Sequence, residues 1–112
     1  MPRLSLAGGF AKLAKLAQGK LDLHSSRSSL DQAELARFAS THGAASLLVS
    51  EILTANTAGQ ILGQAQAIGF PLADLLAARA QVVSREVLGP AVAVEVLVVD
   101  RQGCVVGRAA GW

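Results

Sequence analysis

The sequence predicts a helix-rich α/β domain, read as a three-layer, Rossmann-like arrangement that closes on a C-terminal β-hairpin. Three observations predict it. A short apolar run, Arg3 to Ala7, leads through Gly8-Gly9 into a stretch of helical periodicity. Several further helical segments follow, punctuated by Gly19, Gly43, Gly69 and Gly89. The chain then ends on two Val-rich runs separated by Asp100-Arg101-Gln102-Gly103.

Each element has a local reason. Arg3 to Ala7 is short and apolar and stops at a Gly-Gly pair, as a buried strand before a turn does. Phe10, Leu13, Leu16 and Ala17 then fall on one helical face, with Lys12 and Lys15 on another. Gly19 ends that helix, because glycine takes the left-handed conformation at no steric cost. The segment from Lys20 to Ser29 has no periodicity and reads as a loop. Ser29 and Gln32 fit a capping box, opening a helix through Leu30, Ala33, Leu35, Ala36, Phe38 and Ala39 that stops at Gly43. A helix from Ala44 to about Thr54 carries Leu47, Leu48, Ile52 and Leu53.

Asn56-Thr57 restarts a helix through Ile61, Leu62, Ala65 and Ile68, ended by Gly69. Pro71 suits the first turn of the next helix, where its missing N–H is not needed, and Asp74 complements the positive helix start. That helix runs to Leu88, where Gly89-Pro90 stops it. Ala91 to Val99 alternates and is rich in Val; with Cys104 to Arg108 it makes the hairpin. One strand and a hairpin form a thin sheet for so many helices, so we expect the chain to be a piece of something larger.

Composition narrows the function classes. A length of 112 residues allows one domain, and the 52% hydrophobic content is mostly Leu, Val and Ala. The rings are confined to Phe10, Phe38, Phe70 and Trp112, too few for a nucleic-acid binder built on stacking. Residues 1 to 30 carry Arg3, Lys12, Lys15, Lys20 and Arg27 against Asp22 alone, whereas the remainder is net acidic. A basic end implies an anionic partner, or else a solubilising face. Cys104 is the only cysteine, which rules out an intrachain disulfide and fits a reducing, cytoplasmic compartment. No signal peptide is visible, and no apolar run reaches the roughly 18 residues of a membrane span.

Candidate site residues gather in the N-terminal block. Gly8-Gly9 before a helix start permits close backbone approach to an anion, and the helix dipole favours one there; the same pair also suits a plain tight turn. Lys12 and Lys15 lie three apart and can address one anionic group, or simply be solvated. His24 sits between Asp22 and Ser25, Ser26, Ser28 and Ser29, with Arg27 among them. Such a histidine suits general acid–base work with Asp22 orienting it, or a structural hydrogen-bond network. No nucleophile elbow accompanies it. Asn56 and Thr57 suit either a pocket lining or a helix cap. Two histidines, one cysteine and scattered acids supply no metal-ligand spacing.

The run GGFAKLAKLAQGKLDLHSSRSS, residues 8 to 29, resembles the signature of the cobalt-precorrin-5B C-1 methyltransferases of anaerobic cobalamin biosynthesis. The shared elements are a Gly-rich pair after a strand (Gly8-Gly9), a two-lysine helix (Lys12 to Gly19) and a D-x-H-S loop (Asp22 to Ser25). Ala55-Asn56-Thr57-Ala58 and the closing VEVLVVDRQGCVVGRA are also similar to that family. The resemblance implies the C-terminal α/β domain of such an enzyme, residues 1–112, without the family's N-terminal domain. It further implies S-adenosylmethionine as methyl donor and a cobalt-precorrin tetrapyrrole as substrate. The missing domain would reside on a separate chain, with no nucleic acid or membrane partner. Gly8, Gly9, Lys12, Lys15, Asp22, His24, Ser25 and Arg27 would face the ligand, His24 either moving a proton or binding a carboxylate. The alternative is a non-catalytic module or partner subunit that binds an anion or a corrinoid.

Overall fold

The computed structural model describes residues 3–19, 31–100 and 102–110. The element order is β1 (Arg3–Gly9), α1 (Phe10–Ala17), α2 (Gln32–Thr41), α3 (Ser46–Thr54), α4 (Ala58–Ala67), α5 (Leu72–Leu88), β2 (Ala93–Val99) and β3 (Val105–Ala109). β1 and β2 are parallel, in register from Arg3 opposite Ala93 to Gly9 opposite Val99. Parallel neighbours need a long crossover, and the helices supply it. β3 returns antiparallel to β2, with an irregularity between Val98 and Val99, so the order is β1-β2-β3.

Strand alternation assigns the two faces. Val94, Val96 and Val98 are fully buried. Their partners Leu4, Leu6 and Gly8 share that face by register, and α1 and α5 pack on it. The other face carries Ser5, Ala7, Glu95, Leu97 and Arg108. There Glu95 accepts from Ser5 Oγ at 3.2 Å and pairs with Arg108 Nη2 at 2.8 Å. Ser5, Ala7 and Arg108 are exposed, and among the described residues no helix covers them. The described residues form a mixed α/β fold, with five helices and one three-stranded sheet. The alternation of Arg3, Ser5 and Ala7 with Leu4 and Leu6 is the pattern of a sheet with one buried face.

Several boundaries differ from expectation. Gly8 and Gly9 are not a turn: both extend β1, opposite Val98 and Val99, and neither has positive φ. Asp31, not Ser29, caps α2, its Oδ1 accepting from Glu34 N at 3.1 Å. Ser29 lies outside the described residues. Gln32 does not complete a box; its Nε2 donates to the carbonyls of Ile52 and Ala55 at the end of α3. The carboxylate wins as cap because Gln18 holds the Asp31 backbone from both sides, accepting from its N–H at 3.0 Å and donating to its carbonyl at 2.8 Å. Ile68 caps the C-terminus of α4 and is 51% exposed, rather than lying on its buried face. Pro71 precedes the first residue of α5 instead of occupying it.

The expected stops at Gly19 and Gly69 are found, both with positive φ, as is the end of α5 at Leu88. No helix of the described residues is long and apolar enough to cross a membrane.

α5 is the element on which the sheet rests. A Cβ built on Gly107 would stand 2.5 Å from the carbonyl carbon of Ala73 and 2.7 Å from its oxygen. The neighbour is backbone, so it cannot rotate away. One residue on, Arg108 N donates to Asp74 Oδ1 at 2.9 Å, which satisfies an outward N–H of the edge strand. At the other end of the contact, Gln81 Nε2 donates to Val94 O at 2.7 Å and Ala110 O at 2.9 Å. Gly107→Ala is expected to destabilise the domain by about 1–3 kcal/mol or more through overpacking. Urea unfolding reads this as a lower midpoint at constant slope. An unchanged midpoint would mean that α5 does not seat on Gly107.

Candidate functional site

The sequence places chain reversals at one end of the sheet, and this creates the site. β1 and β2 point the same way, so both end at the pair Gly9–Val99. α1 starts from one of these ends and the Asp100 turn from the other. α4 closes the third side with one flank, from Ala58 to Gln66. Between them lies an open cleft of about 820 Å³, lined among the described residues by Gly9, Phe10, Ala11, Thr57, Ala58, Gly59, Gln60, Leu62, Gly63, Gln66, Val99, Asp100 and Gln102. This is the carboxyl end of parallel strands, where open α/β sheets bind their ligands. Its size falls within the roughly 300–1,000 Å³ of small-molecule sites.

Two helix starts face the cleft. Gly9 is the N-cap of α1 and has no side chain to cap it, and no acid lies in the first turn. Thr57 caps α4, its Oγ1 accepting from Gln60 N at 3.1 Å, while Gln60 Oε1 accepts from Asn56 N at 3.1 Å. Neither start carries an acidic residue, so the helix dipoles leave this end of the cleft weakly positive.

The third wall is polar in another way. Asp100 Oδ1 accepts from the N–H groups of Gln102 and Cys104, each at 2.9 Å, and its own N–H donates to Cys104 O. Gly103, at φ +83°, completes the turn. One carboxylate oxygen thus holds the hairpin, and the other makes no hydrogen bond among the described residues. Asp100 is the only ionisable side chain among the described lining residues; the remaining polar side chains are Thr57, Gln60, Gln66 and Gln102. The described lining contains no nucleophile–base pair, and no metal-binding cluster of His, Cys, Asp and Glu occurs among the described residues.

α4 presents a bare flank. Gly59, Gly63 and Gln66 recur at the i, i+4, i+7 spacing of one helix face, and a Cβ built on either glycine meets nothing within 4 Å. Glycine inside a helix costs about 1 kcal/mol relative to alanine, and no described residue fills the space beside these two.

The structure brings together only part of the expected set. Gly9 and Thr57 line the cleft. Gly8 sits one residue back, where a Cβ would meet Lys12 Cδ at 3.3 Å. Lys12 and Lys15 are half-buried on α1 and do not line the cleft, and Asn56 is exposed with its N–H held by Gln60. Asp22, His24, Ser25 and Arg27 lie outside the described residues. Sequence reasoning missed Gly59, Gln60, Gly63, Gln66, Asp100 and Gln102. The signal for α4 was present: two glycines four apart inside a helix, followed by a glutamine on the same face. Asp100 was legible as a turn residue, but nothing local told that the turn would lie beside α4.

Residues 22–110 match the family model described as CbiD, C-terminal domain. The chain is 56% identical over 109 residues to a cobalt-precorrin-5B C(1)-methyltransferase of Rhodospirillum rubrum, a match that covers 96% of this chain and 30% of the relative. It is 50% identical over 107 residues to the protein of that name from Burkholderia lata, and 50% over 110 residues to that from Paramagnetospirillum magneticum. These matches cover 96% and 97% of this chain, and 30% of each relative. The chain thus spans about 30% of the length of these curated relatives. No solved structure matches it. The family model covers the greater part of the sequence, and the chain belongs to the CbiD C-terminal domain family.

Proposed function

We propose that this chain is the C-terminal domain of a cytoplasmic methyltransferase that acts on ring carbon C-1 of cobalt-precorrin-5B. The observation that carries the reading is the 56% identity, over 96% of the chain, to a relative of that name. The remaining part of the enzyme would come from a further domain or a separate chain, since the relatives are about three times as long.

S-adenosylmethionine is the methyl donor in this reading, and the cleft fits it on two counts. The flank of Gly59 and Gly63 is a cradle that a Cβ would begin to fill. The lining offers neutral amides, one carboxylate and uncapped backbone N–H groups, a mixed set suited to a ligand bearing both charges. Such a donor supplies an electrophilic methyl group when bound. The chain's own residues position, shield and balance charge; methyl transfer needs no protein nucleophile, so the described lining lacks nothing on that score.

The tetrapyrrole carries acetate and propionate carboxylates. Lys12 and Lys15, on α1 after the cleft-lining Ala11, would meet them together with Ser25 and Arg27. His24, oriented by Asp22, would move a proton on the substrate or bind a carboxylate. Gly8 and Gly9 would let the macrocycle or donor approach the strand end, and Asn56 and Thr57 would hold the start of α4 in place.

The direct test is a chimera in which this chain replaces the matching segment of the Rhodospirillum rubrum relative. Transfer of labelled methyl to cobalt-precorrin-5B is expected; a folded, inactive chimera would sink the reading. Within that chimera, Lys12→Ala and Lys15→Ala should each weaken tetrapyrrole binding by about 0.5 to 3 kcal/mol. An unchanged KM in the double variant removes both lysines from the site. Gly63→Ala separates fold from function. It should raise stability by about 0.5–1 kcal/mol, because a helix prefers alanine, while weakening S-adenosylhomocysteine binding measured by calorimetry. Higher stability with undiminished binding would show that the bare flank of α4 serves no ligand.

A further inference from the structure

We infer that Asp100 anchors the ribose of the methyl donor in the cleft, so that the donor's nucleoside, and not the tetrapyrrole, occupies this part of the site. The inference rests on the methyltransferase reading and deepens it.

The argument starts from what an ionised carboxylate can do. It only accepts hydrogen bonds. Asp100 Oδ1 is saturated by two backbone N–H groups of its own turn, each at 2.9 Å. This fixes the carboxylate plane and leaves Oδ2, without a hydrogen bond among the described residues, as the spare acceptor of a residue that lines the cleft. A preorganised acceptor loses little entropy on binding, which is what a recognition contact needs. Its complement is a donor: a hydroxyl pair or an ammonium.

The tetrapyrrole offers the wrong complement. Its rim is polycarboxylate, and Asp100 would repel it. No Lys or Arg lines this cleft among the described residues to offset that repulsion. The donor's nucleoside has the right complement. A ribose diol donates to a carboxylate, the edge of a purine pairs with amides such as those of Gln60 and Gln102, and its plane lies against a flank that carries no side chain. The cleft also sits at the carboxyl ends of parallel strands, the ordinary place for a nucleotide in such sheets.

The experiment uses the full 112-residue chain, calorimetry and two probes. S-adenosylhomocysteine carries the amino-acid tail; 5′-methylthioadenosine keeps the ribose and purine and lacks that tail. Asp100→Asn is the variant, because its amide oxygen still holds the turn while the second acceptor becomes a donor. Circular dichroism and thermal melting establish that the variant folds. Both probes are expected to bind the parent chain, and both to lose about ten- to hundredfold in affinity in Asp100→Asn, the scale of a hydrogen bond to a charged group. A 2′-deoxy analogue of 5′-methylthioadenosine should lose a similar factor on the parent chain and no more on the variant.

Three results would overturn the assignment. Equal binding by parent and variant removes Asp100 from the site. A loss for S-adenosylhomocysteine alone places the carboxylate on the ammonium of the tail, not on the ribose. No saturable binding of either probe by the folded chain takes the nucleoside out of this cleft. None of these results touches the methyltransferase reading, which the chimera tests by methyl transfer.

Discussion

The backbone of α5 lies directly on β3, and that contact sets the spacing of the whole domain. Gly107 opposes the backbone of Ala73 at a distance that admits no side chain. The helix can then reach across the sheet, bonding Arg108 N through Asp74 at one end and the carbonyls of Val94 and Ala110 through Gln81 at the other. With α5 so close, Ala73, Ala77 and Ala80 suffice to fill the space, and Leu72 and Leu76 reach the core. Larger residues along this line would lift the helix and open the layer, since interiors tolerate neither gaps nor excess volume. α1 packs against α5 in turn, which fixes where its N-terminus points. The geometry of the cleft therefore depends on a contact made by other elements of the fold.

A core of alanine and aliphatic side chains brings helices close, but it supplies few polar partners for their ends. Glutamines take over that task. Gln18 clasps the Asp31 backbone by both its N–H and its carbonyl. Gln32 accounts for two carbonyls at the end of α3, and Gln60 for the N–H of Asn56 before α4. Each amide provides a donor and an acceptor without the desolvation cost of a charge, and an orphaned backbone group at a buried helix end is expensive. The recurrence of glutamine at helix boundaries is thus a structural requirement of this small-residue core. The side-chain amides of Gln66 and Gln102 make no hydrogen bond among the described residues, and both residues line the cleft.

The uncovered sheet face and the cleft are different kinds of surface. The face is organised by Glu95, which takes Ser5 and Arg108 as partners, so its polar groups are largely satisfied within the chain. The cleft is not: it gathers an uncapped helix start, a half-used carboxylate and glycines with open space beside them. Unsatisfied polar capacity in a concavity points to a ligand far more strongly than exposure does. For that reason the cleft is the proposed place of the methyl donor, although the basic N-terminal block is the more conspicuous feature of the sequence.

By itself the sequence determined the element types and most of their limits. Local forces decide these: the apolar spacing of Phe10, Leu13, Leu16 and Ala17 needs no partner to specify a helix, and Gly19, Gly69 and Gly89 end helices through their own backbone freedom. It also carried the family signature, which is a matter of residue identity. Tertiary structure decided what depends on neighbours distant in sequence. Gly8-Gly9 looks like a turn in isolation, yet pairing with Val98 and Val99 draws it into β1, because strand hydrogen bonds offset its flexibility. Asp31 caps α2 with its backbone held by Gln18, thirteen residues away. The cleft followed the same rule. Gly9, Thr57 and Asp100 lie in three separate segments, each with an adequate local explanation as strand end, helix cap and turn. Only the parallel pairing of β1 with β2 and the packing of α4 beside their ends turn those three local features into one cleft.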